Sequence, residues 1–171
     1  MKKYMIRPLL YLLAFVLVFG LFIACNGKSE TKMLTYKNEQ FGYSIDYPQD
    51  WRVEVADKGK TCLLSSTEPL STGSIRIDVI PSVPIEQAAQ SWEMAMATQW
   101  EELTRYDNKK LQGQWDWYLS YGWVTNTGVE FLGQAFFKHT IKYIYKVDTA
   151  SKSLSYDKYP FDTIVSSFKL L

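Results

Sequence analysis

The stretch YKNEQFGYSIDYPQDW, residues 36–51, decides the fold of this chain. Large apolar side chains alternate in it with small or polar ones, and strict alternation predicts a half-buried β-strand. The side chains that share the apolar face are Phe41, Tyr43, Ile45 and Tyr47. Pro48 ends the strand because proline has no N–H for the ladder, and Trp51 returns to the same apolar face. We interpret Tyr47, Pro48 and Trp51 as a motif that closes the fold.

Alternation continues downstream of this motif as far as residue 79. The inward-facing positions are Val53, Val55, Cys62, Leu64, Ile75, Ile77 and Val79. Turn-rich segments at 57–60 and 66–73 separate the strands that these positions define. The first half of the domain is therefore predicted to be an antiparallel meander.

The period changes in PIEQAAQSWEMAMATQWEEL, residues 84–103. Pro84 suits the first turn of a helix, and an apolar stripe repeats at helical spacing. The residues of the stripe are Ile85, Ala88, Ala89, Trp92, Met96 and Leu103, with Trp100 at its edge. The spacing predicts one long amphipathic helix laid on a sheet.

The rest of the chain returns to strands and closes with a short helix. Alternation predicts strands over 114–124, 129–137 and 141–149, and Pro160 opens a helix whose apolar stripe includes Ile164 and Phe168. The order of strands, helix, strands and helix predicts an α+β domain with a mainly antiparallel sheet.

Upstream of the domain, the chain begins like a secretory signal. MKKYMIRP carries three cations and no acid, and the apolar run at 9–23 is short for a membrane span of about 20 residues. The run leads into Ala24-Cys25, which resembles the bacterial lipobox, although Phe22 stands where that pattern prefers leucine. The resemblance implies cleavage between Ala24 and Cys25 and acylation of Cys25. The alternative is an uncleaved N-terminal anchor helix.

These features divide the chain into a lipoprotein signal peptide at 1–24, a flexible tether at 25–33 and a domain at 34–171. Loss of the three cations would leave 16 basic residues against 18 acidic ones, a charge of −2. We therefore expect a weakly acidic domain held at the extracytoplasmic side of the cell membrane by lipid.

The run at 36–51 looks like the opening of PsbP-like domains, in which an alternating aromatic strand leads into Tyr-Pro, two spacers and Trp. The ending FDTIVSSFK, residues 161–169, resembles the closing helix of the same family. The resemblance spans 34–170 and implies the Mog1/PsbP fold, an α/β/α sandwich in which helices pack on both faces of a twisted antiparallel sheet. It also implies a non-enzymatic binding or assembly module.

Composition excludes several classes of function. A net charge of +1 gives no electrostatic footprint for nucleic acid. One histidine and two cysteines exclude metal sites built from several histidines or four cysteines. The histidines proposed to hold metal in photosynthetic PsbP-like proteins have no clear counterparts here. We therefore expect no nucleic-acid partner, metal or other cofactor.

Three tryptophans alternate in the strand predicted over 114–124. Trp115, Trp117 and Trp123 would share one face, and we expect that face to be core beneath the long helix. The alternative is a platform that stacks on sugars or on a partner's aromatic groups. The opposite face, with Tyr118 and with Tyr143 or Tyr145 according to the strand register, is the predicted place for an exposed aromatic binding patch.

Two further side chains have mainly structural interpretations. His139 lies in a predicted turn, where a single histidine is typically a solvated polar residue. Cys62 lies in a predicted strand as a small buried apolar residue, and the alternative is an intermolecular disulfide.

Two functional hypotheses follow. The favoured one is a lipid-anchored binding or scaffolding module that engages a protein of the cell envelope. The other is a carbohydrate-active or otherwise hydrolytic lipoprotein that uses carboxylates such as Asp78, Asp116 or Glu130. The second requires two carboxylates about 5–10 Å apart in one pocket.

Overall fold

The computed structural model describes residues 31–100 and 102–171. The predicted signal sequence, with Ala24 and Cys25, lies outside these residues. Within the described residues, no helix is both long and apolar enough to span a membrane.

The described chain folds into strands joined by two α-helices and two short 3-10 helices. The strands are β1 (Met33–Asn38), β2 (Tyr43–Pro48), β3 (Trp51–Ala56), β4 (Thr61–Ser66), β5 (Ser74–Pro81), β6 (Glu102–Lys110), β7 (Trp117–Val124), β8 (Glu130–His139), β9 (Tyr143–Lys152) and β10 (Lys169–Leu170). The helices are α1 (Ile85–Gln99) and α2 (Phe161–Ser166), and the 3-10 helices are Asp57–Gly59 and Ser153–Lys158.

The strands form two antiparallel sheets. Seven of them are ordered β3-β4-β5-β9-β8-β7-β6, and the other three are ordered β1-β2-β10. The first half of the chain joins the second through β5 and β9, where Ile77 pairs with Val147. The predicted meander is present for β3, β4 and β5, but its first strand, β2, pairs with β1 and β10 in the small sheet instead.

Both faces of the large sheet are covered. Helix α1 packs over β7, β8 and β9, where its buried Ala88 and Ala89 meet an apolar cluster. The small sheet and α2 cover the opposite face, where Tyr43 and Ile164 are fully buried. The α+β architecture and the helices on both faces are confirmed, and the separate three-stranded sheet is an addition to the predicted single sheet.

The Tyr-Pro-x-x-Trp motif lies where β2 turns into β3. Pro48 is the last residue of β2 and is buried, whereas Tyr47 is half-buried. Trp51 begins β3 and is buried edge-to-face against Phe161 of α2, with ring centroids 6.2 Å apart. The motif thus links the small sheet, the large sheet and the last helix.

Helix α1 is shorter than its apolar pattern predicted. It ends at Gln99, and Trp100 has extended backbone angles, φ −125° and ψ 127°. Leu103, which was predicted to extend the helical stripe, lies in β6 and pairs with Trp123. β6 was missed because ELTRYDNKK is mostly polar and exposed, as an edge strand that pairs on one side is free to be.

The prediction that Trp115 shares a face with Trp117 and Trp123 is wrong. β7 begins at Trp117, so Trp115 belongs to the preceding loop and turns to the opposite face. There it packs on Phe168, with ring centroids 5.0 Å apart. Trp123 does lie beneath α1, 5.7 Å from Trp100, and Trp117 is half-buried on the same side.

Candidate functional site

A cleft of about 600 Å³ runs between α1 and the β4-β5-β9 part of the large sheet. It exists because α1 packs mainly over β6, β7 and β8 and makes few contacts with β4 and β5. The charged side chains lie on the sheet side, whereas the helix side carries apolar and uncharged polar ones. The side chains that define it include Val83, Gln87, Ser91 and Trp92 on the helix side, and Thr61, Arg76, Asp78 and Lys146 on the sheet side.

The floor of the cleft is a lysine held by two carboxylates. Nζ of Lys146 lies 3.0 Å from Oδ2 of Asp78 and 3.5 Å from Oδ2 of Asp148. The three side chains are only 10%, 14% and 12% exposed, respectively. Charges so shielded from water require close partners, and each of these three has one.

Asp148 is held from the other side by a tyrosine. The hydroxyl of Tyr121 donates to Oδ1 of Asp148, and its ring packs 4.7 Å from that of Trp92. Gly133 makes room for the Tyr121 ring, because a Cβ there would come within 2.8 Å of the Thr149 carbonyl oxygen and would also overlap the ring. Trp92 in turn lies 5.5 Å from Nζ of Lys146, within the range of a cation–π contact.

The two carboxyl groups differ in acidity. Burial alone would raise the pKa of Asp78, but the charges of Lys146 and Arg76 outweigh it and lower that pKa below its ordinary value. Burial dominates at Asp148 and raises its pKa despite the nearby Lys146. Burial, together with the charge of Asp148, also raises the pKa of Tyr121. Asp78 is therefore the firm counter-ion of Lys146.

The polar side of the cleft is less shielded than its floor. The side chain of Arg76 is 57% exposed, and its Nε lies 2.9 Å from Oδ2 of Asp78. Thr61 Oγ1 donates to Oδ1 of the same carboxylate at 2.9 Å. Asp78 is thus saturated by three donors, whereas Arg76 keeps guanidinium N–H groups free for a ligand. The cleft can accept a carboxylate or amide beside Arg76 and an apolar group beside Val83.

The carboxylates named from the sequence do not form one pair. Asp116 accepts from the Lys138 ammonium at 3.0 Å and from the His139 N–H at 2.7 Å. Glu130 lines a separate small depression, away from Asp78. Asp78 instead approaches Asp148, but Lys146 occupies the space between them. That arrangement differs from a glycosidase pair, which has the substrate between its carboxylates.

The three tyrosines predicted as a binding patch have different surroundings. Tyr145 is 5% exposed and donates to the Phe41 carbonyl oxygen at 2.7 Å, so it belongs to the core and the predicted exposed patch is wrong for this residue. Tyr143 is half-buried and lines a shallow depression at the β8–β9 turn. Tyr118 packs on Phe136 with centroids 5.1 Å apart, beneath Lys109. A binding role for Tyr118 and Tyr143 stays a prediction.

Cys62 and His139 occupy ordinary structural positions. Cys62 is fully buried with a free thiol, and burial raises its pKa to about 12, as expected for a small apolar core residue. His139 is exposed at the end of β8, and its Nε2 lies 2.8 Å from Ser82 Oγ. Among residues 31–100 and 102–171, no three metal-ligating side chains are grouped to hold an ion.

Sequence reasoning did not find Lys146, Asp148 and Tyr121. The β9 segment KVDT looks like a strand with its polar side in water, whereas β9 is a central strand buried on both faces. The sequence offers Asp78 only as one of three candidate carboxylates, and no local pattern points to its partners in β9.

No protein-family model matches the chain, and no curated protein matches it in sequence. Its structure is similar to that of cyanobacterial PsbP from Synechocystis sp. PCC 6803, with TM-score 0.61 and 15% identity over 86% of this chain and 98% of that one. It is also similar to the Ran-binding protein Mog1p of Saccharomyces cerevisiae, with TM-score 0.58 and 8% identity over 82% and 96%.

A third similar structure is that of LpqN of Mycobacterium tuberculosis, a protein involved in cell envelope biogenesis. The TM-score is 0.52, with 11% identity over 81% of this chain and 90% of LpqN. Coverage of nearly the whole of each neighbour shows that the described domain has the complete PsbP/Mog1-like fold.

Proposed function

We propose that this chain is a lipid-anchored, extracytoplasmic and non-enzymatic binding module of the PsbP-like type, which receives a segment of a cell-envelope protein in the α1 cleft. The observation that carries the proposal is the cleft floor, where Lys146 is neutralised by Asp78 and Asp148. A fully paired floor keeps a fixed shape and offers little reactivity, as a docking site requires.

The walls of the cleft favour a segment with both apolar and acidic character. Val83 and Trp92 offer an apolar surface, and Arg76 and Lys60 offer two positive charges at the rim against the one negative charge of Asp57. The volume is in the range of about 300–1,000 Å³ that is typical of binding pockets. A partner loop with one large apolar side chain next to a carboxylate would match both walls.

The compartment and the binding role have support from two sides. The cationic start, the apolar run and Ala24-Cys25 favour export and acylation. Among proteins of similar fold, LpqN is involved in cell envelope biogenesis and Mog1p is a Ran-binding protein. The fold thus occurs in one Ran-binding protein and in one protein involved in cell envelope biogenesis.

The cleft is tested by photo-crosslinking in cells. A photoreactive phenylalanine analogue is placed at Gln87, which lines the cleft, or at Gln90, which is exposed on the same helix but does not line it. We expect the Gln87 variant to capture one reproducible envelope protein, and we expect Arg76→Ala to weaken that capture. Equal capture at both positions, or none at Gln87, would overturn the role of the cleft.

The anchor is tested separately by metabolic labelling with a clickable palmitate analogue. We expect the wild-type chain to incorporate the label and the Cys25→Ser variant to lose it and leave the membrane fraction. A Cys25→Ser variant that still takes up the label would contradict the lipid-anchor proposal. The proposed role of the cleft would not be affected by that result.

A further inference from the structure

Two leucines at one end of the domain are almost entirely exposed. Leu70, in the loop between β4 and β5, is 94% exposed, and Leu154, in the 3-10 helix after β9, is 97% exposed. Leu70 also has a positive φ of 64°, a left-handed conformation that is costly for a side chain of this size. The loop therefore turns an apolar side chain outward at an energetic cost.

Hydrogen bonds hold the two leucines at the same end. The Lys152 N–H donates to Thr72 Oγ1 at 3.0 Å, and Ser71 Oγ lies 2.8 Å from the Tyr159 hydroxyl. Leu70 is two residues from Thr72, and Leu154 is two residues from Lys152. Their Cα atoms are therefore at most roughly 22 Å apart.

This end is also where the chain enters the domain from its N-terminal side. The Gln49 N–H donates to the Lys32 carbonyl oxygen at 2.8 Å. Thr67, in the same loop as Leu70, donates its hydroxyl to the Asp50 carbonyl oxygen. Lys32, the β2–β3 turn and the loop that carries Leu70 are therefore neighbours.

The length of the tether decides which end can face the membrane. Lys32 is seven positions after Cys25, so a fully extended chain between their Cα atoms spans at most roughly 25 Å. A domain of this length has a diameter of roughly 37 Å. A lipid on Cys25 would hold the Leu70 end nearest to the bilayer, because the tether is shorter than the domain.

We infer that Leu70 and Leu154 insert into the bilayer interface and hold this end of the domain against the membrane. The inference rests on the proposed lipid anchor at Cys25. Basic side chains are not in excess at this end: Lys32, Lys152 and Lys158 lie there with Asp50, Glu68 and Asp157, and Glu102 and Glu130 line a depression that includes Ser153. The contact is therefore apolar, and it leaves the exposed opposite end of the domain turned away from the bilayer.

The test measures depth at three positions of the full-length, lipidated protein in vesicles of phosphatidylcholine and phosphatidylglycerol. Leu70→Cys, Leu154→Cys and Ile141→Cys are each labelled with an environment-sensitive NBD fluorophore. Ile141 is the matched control, because it is 97% exposed and lies at the opposite end of β9 from Leu154. Cys62 is fully buried, and the unsubstituted protein labelled in parallel measures its background.

We expect NBD emission at positions 70 and 154 to shift to the blue, rise severalfold and be quenched by nitroxide lipids, in low and high salt alike. At position 141 we expect no quenching. Flotation of the protein with the vesicles without quenching at 70 and 154 would overturn the inference and leave the anchor intact. Quenching that high salt abolishes would also overturn it, since the contact would then be electrostatic. Failure of the wild type to float would overturn both the anchor and the inference.

Discussion

Asp78 and Lys146 are directly paired residues of β5 and β9, and their side chains meet 3.0 Å apart beneath the cleft. This ion pair joins the first half of the chain to the second at the middle of the large sheet. Asp148, two residues along β9, contacts the same ammonium group from the side of Tyr121. The cleft and the centre of the sheet therefore depend on one lysine.

Removal of that lysine is expected to destabilise the fold strongly. Lys146→Met would leave Asp78 and Asp148 shielded from water without their counter-ion, at a cost of about 3–5 kcal/mol. The measurement is urea denaturation followed by tryptophan fluorescence. The control is Lys110→Met, whose pair with Glu86 is exposed and contributes little. Similar midpoints for the two variants would contradict the structural role of Lys146.

The opposite pKa directions of the two carboxyl groups predict a distinctive pH dependence. The folded-state pKa of Asp148 is raised above 3.8, so the native chain binds this proton more tightly than the unfolded chain does. Its contribution to stability therefore grows as pH falls through the raised pKa. The pKa of Asp78 is lowered, so its contribution is present above pH 3.8 and is lost as pH falls through the lowered value.

The Asp148→Asn variant isolates the first contribution. We expect the melting temperature of the wild type, relative to that of Asp148→Asn, to increase as pH is lowered from 7 toward 4. The measurement is thermal unfolding at closely spaced pH values in one ionic strength. A difference between the two proteins that does not change with pH would show that Asp148 has the same pKa in the folded and unfolded chains.

The thiol of Cys62 is expected to be unreactive in the native protein. It is fully buried, and a pKa of about 12 leaves almost no thiolate at pH 8. We expect Ellman's reagent to modify it only at the rate of unfolding, and immediately in 6 M guanidinium chloride. Rapid native modification, or a disulfide-linked dimer on a non-reducing gel, would instead favour the intermolecular disulfide.

Two neighbouring tryptophans offer a matched test of the packing. Trp115 is buried against Phe168, so Trp115→Ala is expected to cost about 3–5 kcal/mol. Trp117 is half-buried and donates its Nε1–H to Asn108 at 2.7 Å, so Trp117→Ala is expected to cost about 1–2 kcal/mol. An equal decrease in the free energy of unfolding for the two variants, measured by denaturant titration, would contradict the difference in packing between Trp115 and Trp117.

Local patterns were sufficient for much of the fold. The alternation of apolar and polar residues around Tyr43 and Ile45 predicts their strand. The helical spacing of Ala88 and Trp92 predicts the helix. β6 was not predictable in this way, because an exposed edge strand needs no apolar face. The end of α1 at Gln99 could not be predicted either, because Leu103 continues the helical spacing but belongs to β6.

The candidate site was less accessible to sequence reasoning than the fold. In the sequence, Lys146 and Asp148 look like residues on the solvent-exposed face of a strand. That face is buried only because β9 lies between β5 and β8 in the sheet. The alternation of apolar and polar residues does not show which strands are neighbours in a sheet. Asp78 could be singled out, but its partner is 68 residues away in the sequence.

The order in which strands are paired has a consequence for biosynthesis. β2 pairs with β10 at residues 169 and 170, and β5 pairs with β9, which is made more than 60 residues later. A nascent chain therefore cannot complete the large sheet before β9 has been made, or the small sheet before β10 has been made. Such late pairing delays the native sheets, and slow formation of native structure is compatible with the export proposed for this protein.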